Sequence, residues 1–248
     1  MPKIMNKGSQ TMKRYLIILT SLFMMLGGMF LPLSLSATIT DLHNAAARGD
    51  VAEITRLLDA GADIEARAGG GYTALHAAAF GGHSEAIITL LGRGTNIQAR
   101  ADEYGTTPLH LAAQEGHPAA ITTLLDRGAD IEAGTGDGLT PLHRAAATGH
   151  SDTVIILLYS GANIEARNDG NRTPLHFAAW AGHVEVIITL LDHDADATAR
   201  DNNGSTPLHD AAWAGHSDAV NTLLDRGADA KARTDDGTRP MIWPMITT

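Results

Sequence analysis

The sequence predicts an all-α repeat solenoid, in which short helix pairs are joined by β-hairpin-like loops. One string, Thr-Pro-Leu-His or a close variant, recurs six times and ends at His43, His76, His110, His143, His176 and His209. Successive histidines are 33 or 34 residues apart. The 248 residues include 26 Gly and only 4% aromatic residues, which suits many short, closely packed helices. A fixed period of this length is typical of stacked repeats, none of which can bury its apolar face alone.

The fourth unit shows how the first helix of each repeat is specified. Thr140 is placed to cap a helix that begins at Pro141, where the missing backbone N–H costs nothing. Leu142 begins the buried face of this helix. Gly149 is expected to end the helix, because glycine readily takes the left-handed conformation.

A second helix follows in the same unit. Its apolar stripe consists of Val154, Ile155, Leu157 and Leu158. Gly161 is expected to stop this helix, and the chain then crosses to the next unit through a hairpin. In the hairpin before the fourth unit, Gly138 is expected to fill the positive-φ position of the turn.

Some units depart from the pattern. One extra residue lies between Arg100 and Thr107, so the hairpin containing Tyr104 is expected to bulge. Asn171 replaces a hairpin glycine, and Asn is the least costly substitute in the left-handed conformation. Asp194 replaces the glycine after a second helix, which is expected to weaken that corner modestly.

We expect the last eleven residues, 238–248, to form a truncated unit or cap. Pro240 keeps its place in the repeat, but the pattern then breaks down. We expect this segment to cover the last apolar face by burying Met241, Ile242 and Trp243.

These strings resemble ankyrin repeats. Gly-His, Leu-Leu and Gly-Ala-Asp strings recur in register with the six histidine strings, from Thr40 to about Pro240. The resemblance implies an N-terminal capping unit over 37–66 and five full repeats over 67–237. It also implies a non-catalytic protein-interaction module, whose partner docks on a concave face made by the hairpin tips and the ends of the first helices.

The candidate binding residues are those that vary between repeats on this face. Tyr72, Phe80, Tyr104, Trp180 and Trp213 are large aromatic residues, which make good interface anchors. Gln114, Glu115 and Arg172 are expected to add a polar rim. Two interpretations of the tryptophans stay open, because Trp180 and Trp213 lie on adjacent units. They could anchor a partner, or they could pack on each other for stability.

Residues 1–36 differ from the rest of the chain. They contain four basic residues and no acidic residue, then an apolar run from Tyr15 to Leu31, and then Ser34, Ser36 and Ala37. This order is typical of a secretory signal peptide, with cleavage after Ser36 or Ala37. An uncleaved anchor helix is the alternative, and Met1 and Met12 are alternative starts. The sequence therefore predicts a periplasmic or secreted protein.

Composition and charge restrict the classes of function. Without cysteine, the chain can form no disulfide, thiolate nucleophile or cysteine-ligated zinc site. The net charge of −10 argues against nucleic acid, because phosphate binding needs a basic surface. Once the signal segment is cleaved, 14 basic and 28 acidic residues remain, a net charge of −14. We expect a monomer that binds a protein and, after cleavage, no membrane.

Twelve histidines raise the alternative of a metal site or an enzyme. Eleven of them recur once per repeat, so they cannot converge on one ion, and the resemblance implies that the Thr-Pro-Leu-His histidines are structural. No nucleophile elbow, zinc-protease or phosphate-loop motif occurs. We therefore expect no catalysis, no metal and no cofactor. A host-directed secreted ankyrin protein remains the alternative to a periplasmic interaction module.

Overall fold

Six helix pairs make up the regular structure of residues 36–101 and 103–241, which are the residues described by the computed structural model. The first helices of the pairs are α1 (Ser36–Arg48), α3 (Ala74–Phe80), α5 (Pro108–Gln114), α7 (Pro141–Thr148), α9 (Pro174–Ala181) and α11 (Pro207–Ala214). The second helices are α2 (Val51–Asp59), α4 (Ser84–Gly92), α6 (Pro118–Asp126), α8 (Ser151–Tyr159), α10 (Val184–Asp192) and α12 (Ser217–Asp225). Nearly all of the expected signal segment, and with it the question of cleavage, lies outside the described residues.

The pairs stack in one direction and form two layers. From α3 to α11, each first helix packs against the first helix of the next repeat, and each second helix packs against the next second helix. Hairpin loops join one pair to the next. Within the described residues these loops contain a short 3-10 turn at Gly69–Gly71 and a single antiparallel bridge between Ala101 and Thr106, but no longer strand. The structure is the all-α repeat solenoid that the sequence predicts.

The core is a continuous seam between repeats rather than a single centre. Leu142 and its equivalents in the neighbouring repeats are at most 1% exposed. Ala145 and Ala146 are fully buried, and their small side chains allow the close helix packing of the first layer. In the second layer, Val154 and Leu157 are fully buried. Each repeat therefore depends on its neighbours for most of its buried apolar surface.

A threonine–histidine pair begins each of the five first helices from α3 onward. In the fourth unit, the backbone N–H of Thr140 donates to His143 Nδ1 over 3.1 Å, and the Thr140 hydroxyl lies 2.9 Å from the same nitrogen. Since Nδ1 accepts, the proton of the neutral ring is on Nε2. That N–H donates to the carbonyl of Arg172, 3.0 Å away in the next repeat. The histidine is thus a structural link between repeats, as the resemblance implied.

The same link runs along the whole described solenoid. The carbonyls that accept from successive histidines belong to Tyr72, Thr106, Leu139, Arg172, Ser205 and Thr238. Burial lowers the pKa of His143 and of His176 to about 4, so both rings are neutral at pH 7.

The Gly-His strings form a second link, which sequence analysis did not predict. Gly149 ends α7 at φ 85°, the left-handed conformation expected of it. A Cβ added there would lie 2.7 Å from the ring of His183 in the next repeat. His183 Nε2 lies 3.2 Å from the carbonyl oxygen of Ala147. Glycine is therefore needed at this position both for its backbone conformation and for the ring that covers it.

The departures from the repeat have clear structural consequences. Asn171 and Asp194 are the two positive-φ residues other than glycine in the described chain, at 60° and 67°. The extra residue near Tyr104 lies in a longer hairpin, closed by backbone hydrogen bonds of 2.8 and 2.9 Å between Ala101 and Thr106.

At the C-terminal end, one expectation is wrong. Pro240 is buried, but Met241, which was expected to be buried, is 62% exposed. Ile242 and Trp243 lie outside the described residues.

Candidate protein-interaction surface

A cluster of five side chains lies on the first-helix layer of the last two complete repeats. Arg172 precedes α9, Phe177 and Trp180 lie on α9, and Asp210 and Trp213 lie on α11. We call these residues the aromatic cluster. They come together because positions 33 residues apart occupy equivalent places in adjacent repeats.

The two tryptophans stack on each other. The ring centroids of Trp180 and Trp213 are 4.7 Å apart, and the ring planes differ by 20°. Trp180 is half-buried, whereas Trp213 is 57% exposed. The rings therefore do pack together, but the stack still presents a large aromatic surface to solvent. The packing interpretation and the anchor interpretation are compatible in this geometry.

The tryptophan stack is supported by an ion pair between Arg172 and Asp210. Arg172 Nη2 donates to Asp210 Oδ2 over 2.5 Å, and the two side chains are only 17% and 11% exposed. The Arg172 guanidinium also lies over two rings, 5.0 Å from the centroid of Phe177 and 5.8 Å from that of Trp180. Cation–π contacts of this kind hold a planar guanidinium in place. Arg172 is thus an internal support and not the exposed rim residue that the sequence suggested.

The ion pair lies in a weakly hydrated environment. Burial raises the pKa of the Asp210 carboxyl to about 6, even though Arg172 acts in the opposite direction. Arg172 in turn helps burial to lower the pKa of His176. The Arg172–Asp210 ion pair, the aromatic rings around it and the hydrogen-bonded ring of His176 therefore influence one another.

Sequence analysis missed Phe177 and Asp210. Both directly follow the histidine of the repeated string, and this position varies from repeat to repeat. Its occupants are Asn44, Ala77, Leu111, Arg144, Phe177 and Asp210. This variation is the signal in the sequence that could have found them.

The other candidate residues lie in earlier repeats, away from the aromatic cluster. Tyr72 is half-buried, with its ring edge 5.5 Å from the ring of His76. Phe80 is half-buried at the end of α3, and its carbonyl lies 2.9 Å from His117 Nε2. Tyr104 is half-buried in the longer hairpin.

Gln114 and Glu115 are half-buried neighbours at the end of α5. The Gln114 side-chain amide donates to the Glu115 carboxylate over 3.1 Å. Their role as a polar rim stays a prediction.

Arginines recur at the base of the hairpins and join them to one another. Arg67, Arg100, Arg167 and Arg200 each donate through Nη1 to a backbone carbonyl of the next hairpin, over 2.7 to 3.0 Å. These residues fix the spacing of the hairpin tips. The hairpins beside the aromatic cluster are therefore held by these hydrogen bonds from arginine side chains to backbone carbonyls, as well as by helix packing.

The described residues contain no group of three or more His, Asp or Glu side chains arranged to hold a metal ion. Within the same part of the chain, no helix combines the length and the apolar character that a membrane span requires.

Stacked helix pairs with histidine links, together with an aromatic cluster that exposes Trp213 on one layer, define a helical repeat scaffold. The family model for ankyrin repeats matches residues 42–135 and 142–234, and the chain belongs to the ankyrin-repeat family. Among solved structures, the chain is similar to the crystal structure of the human ASB11 ankyrin repeat domain. The two share 30% sequence identity with a TM-score of 0.74, over 82% of this chain and 91% of that chain. No curated protein sequence matches the chain significantly.

Proposed function

We propose that this chain is an exported protein-interaction module whose partner docks on the concave side of the first-helix layer, at the aromatic cluster. Ankyrin repeats indicate a protein-interaction module, and the proposal adds the place of binding and the compartment. The proposed place of binding rests on Trp213, which is 57% exposed and stacks on Trp180. Tryptophans on a preformed surface are frequent hot spots of protein interfaces.

The rigidity of the cluster favours binding. Asp210 and Arg172 are held by their ion pair, and Trp180 is held between Arg172 and Trp213. A partner that covers Trp213 loses little side-chain entropy on the repeat side, because these groups are already ordered.

Export rests on the sequence of residues 1–36. A basic start, an apolar run and small residues before Ala37 support secretion to the periplasm or beyond. Cleavage would place the new N-terminus at Ala37 or Thr38, directly before the first repeat.

Site-specific photo-crosslinking tests both parts of the proposal. A benzophenone amino acid at position 213 is expected to form an adduct with a partner protein in the periplasmic fraction. The matched control is position 159, because Tyr159 is 80% exposed on α8 in the second-helix layer. The adduct chain is expected to begin at Ala37 or Thr38.

Equal crosslinking at positions 159 and 213 would contradict docking at the aromatic cluster. Chains recovered from the cytosol with an intact N-terminus at Met1 or Met12 would contradict export.

A further inference from the structure

The charge of the chain is divided unevenly between its two layers. The second helices and their adjoining loops, residues 49–66, 82–99, 116–133, 149–166, 182–199 and 215–232, carry 18 acidic and 5 basic residues. We define the inner face as the positions one, four and five after each repeat histidine, together with the residue before each capping threonine. Its charged members are Arg48, Glu115, Arg144, Arg172 and Asp210. The inner face is thus slightly basic on a strongly acidic chain.

The outer charges have little influence at the inner face. Packed helices lie about 8–10 Å apart. The Debye length at physiological ionic strength is about 8 Å, so charges across the helix layers are largely screened. Three carboxylates of the hairpin tips are engaged locally: Asp201 accepts from the backbone N–H groups of Asn203 and Ser205, Asp137 accepts from the Thr135 hydroxyl, and Asp235 pairs with Arg200. The charges of the inner face itself therefore decide which partner fits there.

Arg144 is the cation of this face that is both half-buried and unneutralised. It forms no ion pair with any carboxylate of residues 36–101 and 103–241, and its Nε is shielded from solvent without a hydrogen-bond partner. The equivalent positions in the neighbouring repeats hold Leu111 and Phe177, each 4% exposed. Arg172, by contrast, is already paired with Asp210. A partly desolvated guanidinium between apolar neighbours favours a carboxylate from outside.

We propose that the partner presents an acidic side chain close to an aromatic one, in an extended segment, with the carboxylate paired to Arg144 and the ring packed on the Trp180–Trp213 stack. This inference rests on the proposed function, since it names the partner chemistry of the same surface. Arg144 lies one repeat from Trp180 and two repeats from Trp213. At about 8–10 Å per repeat and about 3.3 Å per extended residue, the acidic and aromatic side chains are about three to six residues apart.

Three synthetic peptides test this chemistry. They are identical except that one position, four residues before a single Phe, holds Glu, Gln or Lys. Binding is measured by the fluorescence of Trp180 and Trp213 in the full chain carrying Trp243→Phe, which removes the third tryptophan. The Glu peptide is expected to bind at least about tenfold more tightly than the Gln peptide, because a charge-assisted hydrogen bond to guanidinium is worth that much. The Lys peptide is expected to bind most weakly.

The Arg144→Gln variant tests whether Arg144 is responsible for the preference for the Glu peptide. It is expected to bind the Glu and Gln peptides equally, whereas Arg127→Gln, which removes an exposed outer arginine, is expected to keep the preference. If the chain with Arg144 intact binds all three peptides equally, this inference is wrong, but docking at the aromatic cluster is not contradicted. A Glu preference that survives Arg144→Gln would also overturn this inference alone. Absence of any fluorescence response to all three peptides would contradict both this inference and docking at the aromatic cluster.

Discussion

At the scale of single residues, the repeat histidines have their protonation state fixed by hydrogen bonding. His143 Nδ1 accepts from the backbone N–H of Thr140, and His143 Nε2 donates to the carbonyl of Arg172. A second proton on Nδ1 would face a donor at 3.1 Å and would break the link at the start of α7. Burial alone already disfavours the charged ring.

Acid is therefore expected to destabilise the fold over a defined pH range. The folded-state pKa of His143 and of His176 is about 4, below the ordinary value of 6.5, so the unfolded chain binds more protons between these values. Their contribution to the free energy of unfolding is complete above pH 6.5 and is lost as the pH falls toward 4. The loss is on the order of 3 kcal/mol for each histidine. Urea unfolding measured at intervals from pH 7 to pH 4 checks this.

Asp210 provides the control, because its effect has the opposite sign. Its folded-state pKa is raised from 3.8 to about 6, so its contribution is complete below pH 3.8 and is lost as the pH rises through 6. Asp210→Asn should make the acid-induced loss steeper. A stability that does not change between pH 6.5 and 4 in either protein would refute the neutral-histidine links.

At the scale of elements, a contact between a histidine ring and a glycine joins neighbouring helix pairs. The histidine of one repeat covers the glycine that ends the first helix of the repeat before it. The ring of His183 covers Gly149, and the ring of His216 covers Gly182 in the same way. Gly215 is the equivalent glycine of the last complete repeat. It has a φ of 84°, but nothing lies within 4 Å of a Cβ added there. Gly149 inside the stack and Gly215 in its last complete repeat thus offer the same backbone position with and without a covering histidine ring.

Gly149→Ala and Gly215→Ala are expected to differ for this reason. Both place a side chain at positive φ, which costs roughly 1–2 kcal/mol. Gly149→Ala must also displace the His183 ring and disrupt its contact with the Ala147 carbonyl, so its loss of stability should be clearly larger. Chemical unfolding of both variants measures the difference. Equal losses would show that the histidine cover contributes nothing.

The sequence was sufficient for those elements whose signals are local. Thr140, Pro141 and Gly149 specify the ends of α7, and the repeat period extends the same reasoning to every unit. The support of the aromatic cluster could not be predicted in the same way. Arg172 and Asp210 are 38 residues apart, and each looks like an exposed polar residue in its own repeat. Their burial results from the stacking of α9 on α11, which places Phe177 and Trp180 around the ion pair.

At the scale of the whole molecule, the two layers have different properties. The second-helix layer carries most of the acidic charge, which favours solubility. The first-helix layer carries the aromatic cluster and an unneutralised arginine. Two of the three tryptophans of the chain, Trp180 and Trp213, thus lie on the layer that carries little of the acidic charge.

We propose that the Trp180–Trp213 stack is a binding surface as well as a packing contact. The most direct test is the affinity of the partner crosslinked at position 213 for Trp180→Ala, Trp213→Ala and the outer-face control Tyr159→Ala. Truncating a true anchor costs at least about 2 kcal/mol, so both tryptophan variants are expected to raise the Kd about 30-fold or more. Their melting temperatures should fall only slightly, and Tyr159→Ala should bind normally. If instead both tryptophan variants lose stability while their folded fraction binds with unchanged Kd, the stack is a packing contact alone and the partner docks elsewhere.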